Sequence, residues 1–438
     1  MFENLPFAIQ LFVLGLLGLA TGIFANWAIY SWTWILFRPI SPWQPPHAEE
    51  SPRQSTDRIP IVGWIGRRRD ESLYGRFFWL RPMLIEIGLT IFVPFFYFWL
   101  ADGGLISHPS APDIEPLLTY TWFGLLTPII VLMCIATFID FDEHTIPDMI
   151  TVPGTLFALT FAALAPASRL PEVVSLNLQW ALRPIDYLSP NIDEVTLPGK
   201  ELIVLAIALV IFAIWIWALL PKLSPFDVGW IKATRLMCAH IVRPRRKTTC
   251  AVRTTPRSMP MISRALLALL VVGWLAIVTG WSFLADENWQ SLCGSLVGLA
   301  FGGGMIWSIR IVGTMAMGRQ AMGFGDVTLM AMIGATLGWQ ATLLAFVYTV
   351  VLIVVMLVIQ IIATGSQELP FGPYLCGGAI LLIFRWGTTW PAAAQGLFSL
   401  GVILLYILLA CTALLGVMLL GLQWIKGLFG GAEISDED

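Results

Sequence analysis

The sequence predicts an all-α protein, a polytopic bundle of membrane-spanning helices joined by small loops. Of its 438 residues, 57% are hydrophobic and only 12% are charged, whereas an ordinary soluble domain is about 25% charged. The mean hydropathy is +0.79, and apolar runs long enough to cross about 30 Å of hydrocarbon recur along the chain. These values exclude a water-soluble globular enzyme and a disordered chain. The net charge of −3 gives no attraction for a polyanion, so no nucleic-acid partner is expected.

The apolar runs predict about eleven crossings. The first is expected to be a retained span and not a cleaved signal peptide, because the residues before it include Glu3 and no Lys or Arg. The run at 327–363 is too long for one straight helix, and a turn at Gly338 and Trp339 would divide it into two crossings. The predicted spans lie near 7–30, 82–101, 118–139, 149–166, 201–221, 264–284, 290–312, the two halves of 327–363, 371–388 and 396–425.

The distribution of basic residues predicts which loops face the cytoplasm. Loops 31–81 and 222–263 are rich in Arg and Lys, whereas loop 102–117 has acidic residues and no Lys or Arg. Alternating from these loops, the turns at 140–148 and 317–326 both face the cytoplasm. The arginine clusters are interpreted as topology signals, with anionic lipid headgroups as an alternative partner.

The first candidate site is the acidic turn in TFIDFDEHTIPDMITVPG. Asp140 directly follows an apolar run and is therefore expected at or just below the membrane surface. Pro147 prevents the helix from continuing through the turn, and a new apolar segment begins after Asp148. A single acidic residue at the end of a span is more commonly just solvated.

The second candidate site is AMGFGDVTLMAMIGATLGWQ, in which Gly323 and Gly325 flank Phe324 and Asp326 opens an apolar helix. Glycines permit backbone conformations and close approaches that other residues resist. A carboxylate at a helix N-terminus is also favoured by the macrodipole. Taken alone, this pattern equally fits an ordinary helix cap.

Together the two turns indicate a pair of carboxylates on one face of the membrane. Two like charges in close contact cannot both ionise, so such a pair tends to share one proton. One carboxylate can then activate a water while the other protonates a scissile carbonyl oxygen, which is aspartic-protease chemistry. The sequence contains no H-E-x-x-H or G-x-S-x-G pattern, so no zinc-protease or serine-hydrolase site is expected.

Six segments, in order, resemble the bacterial prepilin peptidases, or type IV leader peptidases, which are Gly-x-Gly-Asp membrane aspartic proteases. Two of them are the aspartate motifs, IDFDEHTIPDMIT at 139–151 and MGFGDVTLMAMIGATLGWQ at 322–340. The others are GIFANWAIY at 22–30, RIPIVGWIG at 58–66, FWLRPMLIEI at 78–87 and LPFGPYLCGGAI at 369–380.

The resemblance implies cleavage of the leader peptides of type IV prepilins and pseudopilins at the cytoplasmic face of the bacterial inner membrane. It implies Asp140 and Asp326 as the catalytic pair. Gly323, Gly325, Pro147 and Asp148 would support that pair. The segment Pro370, Phe371, Gly372 and Pro373 is a candidate border of the substrate groove, or else a plain loop between spans.

Three departures from the family pattern bear on cofactors and organisation. The cytoplasmic loop lacks the family's two Cys-x-x-Cys pairs, so zinc is not expected, and S-adenosylmethionine-dependent methylation of the product is left open. The two aspartates are 186 positions apart, which indicates an inserted pair of spans. Thr328 stands where the family commonly has Lys. Peptidase activity itself is expected to need no cofactor.

The chain is therefore divided into four predicted parts. These are an N-terminal part with two spans (1–101), the first aspartate motif (102–166), an atypical insertion (167–285) and the Gly-x-Gly-Asp part with the C-terminal spans (286–438). Two other functions remain open from the sequence. One is a transporter or channel with acidic gating residues, and the other is an assembly protein of a pilus or secretion machine that has lost catalysis.

Overall fold

The computed structural model confirms a helical membrane protein. It describes residues 2, 5–32, 46, 50–106, 114–176, 179–185, 200–220, 259–317, 322–364, 370–398 and 400–429. Among these, seven helices are long and apolar enough to cross a membrane, and several further apolar helices are shorter. The exact number of crossings stays a prediction. Most of the basic loop expected at 222–263 lies outside the described residues.

Eleven long helices in the described part of the chain follow the predicted apolar runs closely. They are α1 (Phe7–Ser31), α2 (Leu80–Ala101), α3 (Pro116–Glu143), α4 (Asp148–Leu164), α5 (Leu202–Leu219), α6 (Met259–Phe283), α7 (Asp286–Met317), α8 (Phe324–Leu337), α9 (Trp339–Thr364), α10 (Gly372–Thr389) and α11 (Val402–Phe429). Short helices lie at Ser55–Arg58, Val62–Gly66, Arg67–Asp70, Glu71–Tyr74, Pro166–Ser168, Trp390–Ala394 and Gln395–Phe398.

The predicted break near Gly338 is confirmed. Gly338 has φ +82° and ends α8, and α9 begins at the next residue. A positive φ is readily adopted by glycine, so the turn needs no further residues. However, α8 has only 14 residues and is therefore about 21 Å long, shorter than a full hydrocarbon crossing.

Helix α8 occupies the centre of the bundle, and its residues from Asp326 to Leu337 are all buried. It packs chiefly on α7 and also contacts α4, α9 and α10. A side chain at Gly298 or Gly334 would collide with the other glycine's carbonyl oxygen, so the two backbones touch there. Gly302 also packs closely, since a Cβ there would meet the Met330 backbone, whereas Gly304 has open space beside it.

Helices α5 and α6, which the sequence analysis interpreted as an inserted pair, form a peripheral layer on one side of the bundle. Phe212, Trp215 and Ile216 of α5 join a buried cluster with Leu159 of α4 and Leu296 of α7. Most residues of α6 remain exposed, with only 6% of its apolar window buried. An exposed apolar helix surface is expected where the partner is lipid, so this pair enlarges the bundle without entering its centre.

A short antiparallel hairpin, which the sequence analysis did not predict, follows α4. Its strands are β1 (Pro171–Leu176) and β2 (Gln179–Pro184), paired from Pro171 with Pro184 to Leu176 with Gln179. The indole N–H of Trp386 donates to the Pro171 carbonyl oxygen at 2.8 Å, and that of Trp390 donates to Glu172 at 3.2 Å. The hairpin therefore packs against the C-terminal end of α10.

Candidate active site

The first aspartate lies where α3 ends. Asp140 is 4% exposed in the last turn of α3, and its carbonyl accepts a hydrogen bond from the backbone N–H of His144. His144 has a left-handed conformation (φ 52°) and ends the helix, and Pro147 precedes the first residue of α4. The predicted helix–turn–helix is therefore present. Asp148, expected as a supporting residue, opens α4 with an exposed side chain.

The second aspartate lies in the first turn of α8, where Asp326 is 7% exposed. Gly323 is the N-cap residue of α8, and a Cβ built on it would lie 3.5 Å from Asp326 Oδ2. The carboxylate of Asp326 therefore lies beside the turn that starts its own helix.

The segment Pro370–Pro373 meets the first aspartate directly. The backbone N–H of Gly372 donates to Asp140 Oδ2 at 3.0 Å, in a fully buried contact. A Cβ at Gly372 would lie 2.6 Å from that same oxygen and 2.8 Å from Ile146 Cδ1. Only glycine therefore allows the start of α10 to approach Asp140 so closely.

Ile146 joins the two aspartate segments and was not singled out from the sequence. It is buried at 7% exposure in an otherwise polar turn. Its side chain lies against Gly372, and a Cβ at Gly325 would lie 2.8 Å from Ile146 Cβ. The glycine at 325 is needed for this close approach and not for a positive φ. In the sequence, the signal that could have identified Ile146 is its apolar side chain within the polar turn of IDFDEHTIPD.

The structure thus brings together Asp140 and Asp326 from segments 186 positions apart. Both carboxylates are buried, and they are close enough to interact electrostatically. They lie at one end of the bundle, here called the site end, where α3 and α7 end and α4, α8 and α10 begin. A buried pair of carboxylates of this kind can act as an acid and a base.

Part of this site lies in a region that is similar to known proteins. A profile described as the type IV leader peptidase family matches residues 258–359, a region that includes the Gly323–Asp326 turn. Over these residues, the chain is similar to the type IV leader peptidase family.

Two curated relatives, both named prepilin leader peptidase/N-methyltransferase, come from Stutzerimonas stutzeri (34% identical over 123 residues) and Pseudomonas aeruginosa (35% over 119 residues). Each alignment covers 26% of this chain and 39% of the relative. A relative of the same name from Aeromonas hydrophila is 35% identical over 107 residues, 22% of this chain and 34% of that protein. The chain thus spans about two fifths of the length of the first relatives it matches. No solved structure is significantly similar to it.

The leader-peptidase family match does not reach Asp140, so the pairing of the two aspartates is observed in the structure alone.

An arginine at the start of α2 contacts the end of α3, close to the first aspartate. Arg81, at the start of α2, donates through Nη1 to both carboxylate oxygens of Asp142 at 2.9 Å. Its Nη2 donates to the Phe138 carbonyl oxygen at 3.1 Å. Because Nη1 reaches the Asp142 carboxylate and Nη2 reaches the backbone one turn earlier, Arg81 holds the end of α3 that carries Asp140.

Three segments outside the family match converge on one buried carboxylate, Glu86 of α2, which is 3% exposed. Glu86 Oε1 accepts hydrogen bonds from Asn26 Nδ2 at 3.0 Å and Trp64 Nε1 at 2.8 Å, and Oε2 accepts one from the Ile61 backbone N–H at 2.5 Å. These residues come from three of the segments that resemble the prepilin peptidases, namely 22–30, 58–66 and 78–87. The sequence alone could not predict that these segments contact one another.

Residues 50–79, here called the loop unit, form a compact polar structure beside α2. Arg67 is fully buried and donates to Glu50 at 2.9 Å, and Glu50 also accepts from Arg53 at 2.7 Å and from the Tyr74 hydroxyl at 2.6 Å. Burial and the hydrogen bond to Glu50 raise the pKa of Tyr74 above its ordinary value. A buried arginine must be paired in this way to remain charged. The loop unit thus has an ionic core.

The described residues contain no group of three or more His, Cys, Asp and Glu side chains placed to hold a metal. The expectation that zinc is absent stays a prediction, as does the question of S-adenosylmethionine. Of the six cysteines, those at 134, 293, 376 and 411 are described and are free thiols.

Proposed function

We propose that this chain is a membrane aspartic endopeptidase that removes leader peptides from type IV prepilin-like or pseudopilin-like proteins. The observation that carries the proposal is the buried pair Asp140 and Asp326, in which Gly372 donates to Asp140 and Gly323 lies beside Asp326. The family match over 258–359 and the relatives' printed names supply the substrate class.

The proposed reaction needs only the two aspartates and one water. One carboxylate accepts a proton as the water oxygen bonds to the carbonyl carbon of the peptide, and the other carboxyl donates its proton to the carbonyl oxygen. The C–N bond of the tetrahedral diol then breaks, and the amine nitrogen takes up the proton held by the first aspartate. As the carbonyl group re-forms, one hydroxyl of the diol returns its proton to the second aspartate. The pair ends with one shared proton, as it began.

The substrate is proposed to approach beside the Pro370–Pro373 segment. Gly372, which contacts Asp140, and Pro373 are buried, whereas Pro370 and Phe371 are partly exposed. Phe141, next to Asp140 in the chain, is half exposed and apolar. An extended peptide lying along this border would pass within reach of Asp140.

The site end is proposed to face the cytoplasm of a bacterium, with the helices spanning the inner membrane and contacting its lipids. Its support is the distribution of charge, because the arginine-rich loop unit lies at the site end. Acidic Asp286 lies at the opposite end, close to Lys200. Basic loops are retained on the cytoplasmic side.

Methylation of the new N-terminus is a separate question from cleavage. The printed names of the relatives include an N-methyltransferase activity, and this chain lacks the cysteine pairs of the family's loop. The peptidase proposal does not depend on S-adenosylmethionine.

The test is cleavage of a leader-bearing prepilin in membranes that contain the protein. The wild type is expected to shorten the substrate. Asp140→Asn and Asp326→Asn are each expected to lower the cleavage rate by about 10²- to 10⁴-fold, because each removes an acid–base group. Mass spectrometry of the product would report the cleavage position and any added methyl group.

Asp286→Asn is the matched control, since Asp286 also lies in the first turn of a helix but at the opposite end of the bundle. It should cleave like the wild type at equal abundance. Cleavage that persists in either dyad variant would refute the catalytic assignment. Absence of cleavage by the wild type on several prepilins would favour the transporter or inactive-assembly alternatives.

A further inference from the structure

Beside the second aspartate lies an arginine from a different helix. Arg310, near the end of α7, donates through Nε to the carbonyl oxygen of Met322 at 3.0 Å. Its guanidinium carbon lies 5.5 Å from the centre of the Phe324 ring. Both contacts are with the turn that leads into α8, and the side chain of Arg310 is only partly exposed.

These contacts fix the turn from two directions. Met322 directly precedes Gly323, the N-cap of α8, and Phe324 is the first helical residue. A charged donor makes a stronger hydrogen bond than a neutral one, and a cation near an aromatic ring is attracted by the ring's quadrupole. Since Asp326 is only two residues beyond Phe324, holding the turn also holds the carboxylate.

The charge of Arg310 acts on the reacting pair as well. Arg310 interacts electrostatically with Asp326, and so does Asp140. His144 interacts electrostatically with Asp140. Thr328, one turn further along the chain, contributes no charge, and its hydroxyl donates to the Gly325 carbonyl oxygen at 3.0 Å. Among the described residues around this turn, Arg310 therefore supplies a permanent positive charge that acts on Asp326.

We propose that Arg310 is a positioning residue of the peptidase. Its guanidinium holds the Met322–Phe324 turn and offsets the negative charge that the aspartate pair carries while the proton moves. The inference rests on the proposed function and names a residue outside the two aspartate motifs. It predicts a role in the chemical step, since neither contact of Arg310 reaches the Pro370–Pro373 border where the substrate is proposed to lie.

The experiment compares Arg310→Gln, which removes the charge but keeps an N–H donor, with Arg310→Lys, which keeps the charge. Both are assayed for kcat and KM on a leader-bearing prepilin and normalised to folded protein. For Arg310→Gln we expect kcat to fall by about 10²-fold, the size of effect seen when one preorganised electrostatic contact is lost. We expect KM to change by less than about threefold, because substrate binding is unaffected. Arg310→Lys is expected to recover about tenfold of the lost kcat.

Arg385→Gln is the matched control, since Arg385 is an exposed arginine of the membrane helix α10; it should leave kcat unchanged. A wild-type kcat for Arg310→Gln would overturn the proposal. A rise in KM alone would also overturn it, by indicating a substrate contact. If Arg310→Lys is as slow as Arg310→Gln, the role of the charge is refuted.

A second measurement keeps the test decisive if Arg310→Gln folds poorly. Arg310→Ala is assayed with added methylguanidinium, which can occupy the space left by the side chain. The expected result is that methylguanidinium partly restores the kcat of Arg310→Ala but not that of Asp326→Asn. If folded Arg310→Ala shows no recovery, the result counts against the proposal. A wild type that cleaves no prepilin would instead refute the proposed function, and with it this inference.

Discussion

Gly372 is the residue of the site with the least room for a side chain. Its backbone N–H donates to Asp140, and any Cβ would lie 2.6 Å from the accepting oxygen. Contacts under about 3.0 Å between a carbon and an oxygen are repulsive, and a packed interior absorbs such a change only by shifting its neighbours.

We therefore expect Gly372→Ala to move the Asp140 carboxylate and to lower the rate of leader cleavage by at least about tenfold, because small misplacements of catalytic groups are costly. The measurement is kcat on a prepilin substrate in detergent or membranes. The protein should remain folded, since Ala is accepted in the first turn of a helix.

Gly304→Ala provides the control for this substitution, because Gly304 is a helical glycine with no atom within 4 Å of a Cβ. It should behave like the wild type or be slightly more stable. An unaltered kcat in Gly372→Ala would show that the close contact with Asp140 does not matter for catalysis.

Among the elements, the loop unit depends most on a single docking point. Glu86 of α2 accepts hydrogen bonds from Trp64 and Ile61 of the loop unit and from Asn26 of α1. A glutamine at this position would turn an NH₂ group towards at least one of these donors and leave it unpaired.

We expect Glu86→Gln to destabilise the docked loop unit by about 1–3 kcal/mol, the cost of an unsatisfied buried donor. Limited proteolysis should then cut within residues 50–79 before the helical bundle unfolds. Asp102→Asn, an exposed acid at the other end of the same helix, is the comparison. Equal protease resistance of Glu86→Gln and wild type would rule out this docking role.

The elements also differ in how well the sequence predicted them. The long helices agree with the apolar runs because a membrane helix must satisfy all its backbone groups internally along a nearly continuous apolar stretch. The β1–β2 hairpin was missed since its strands are short and bounded by prolines at 171 and 184. The loop unit was interpreted only as a topology signal, because its arginines are paired with acids that are distant in the chain, such as Glu50 with Arg67.

For the whole molecule, the orientation in the membrane is a prediction that follows from charge. The site end, with the Thr145 turn, should face the cytoplasm, and the end with Asp286 should face outwards. Thr145 and Asp286 are both exposed, so each can be replaced by cysteine and labelled in intact cells with a membrane-impermeant maleimide.

Asp286→Cys is expected to be labelled in intact cells, and Thr145→Cys only after the cells are opened. The unsubstituted protein sets the background from the native thiols. The reverse pattern would place the carboxylate pair outside and would remove the support for a cytoplasmic leader peptide as the substrate.

The sequence by itself determined the helical membrane class, the approximate position of each helix, the break at Gly338 and the two aspartate turns. All of these depend on local apolar length and on the conformational preferences of single residues. Only the tertiary structure decided that Gly372 contacts Asp140, that Ile146 packs against Gly325, and that Arg310 contacts the turn before Asp326. These contacts join residues far apart in the chain or on different helices, and their geometry is set by how the helices pack and not by any local pattern.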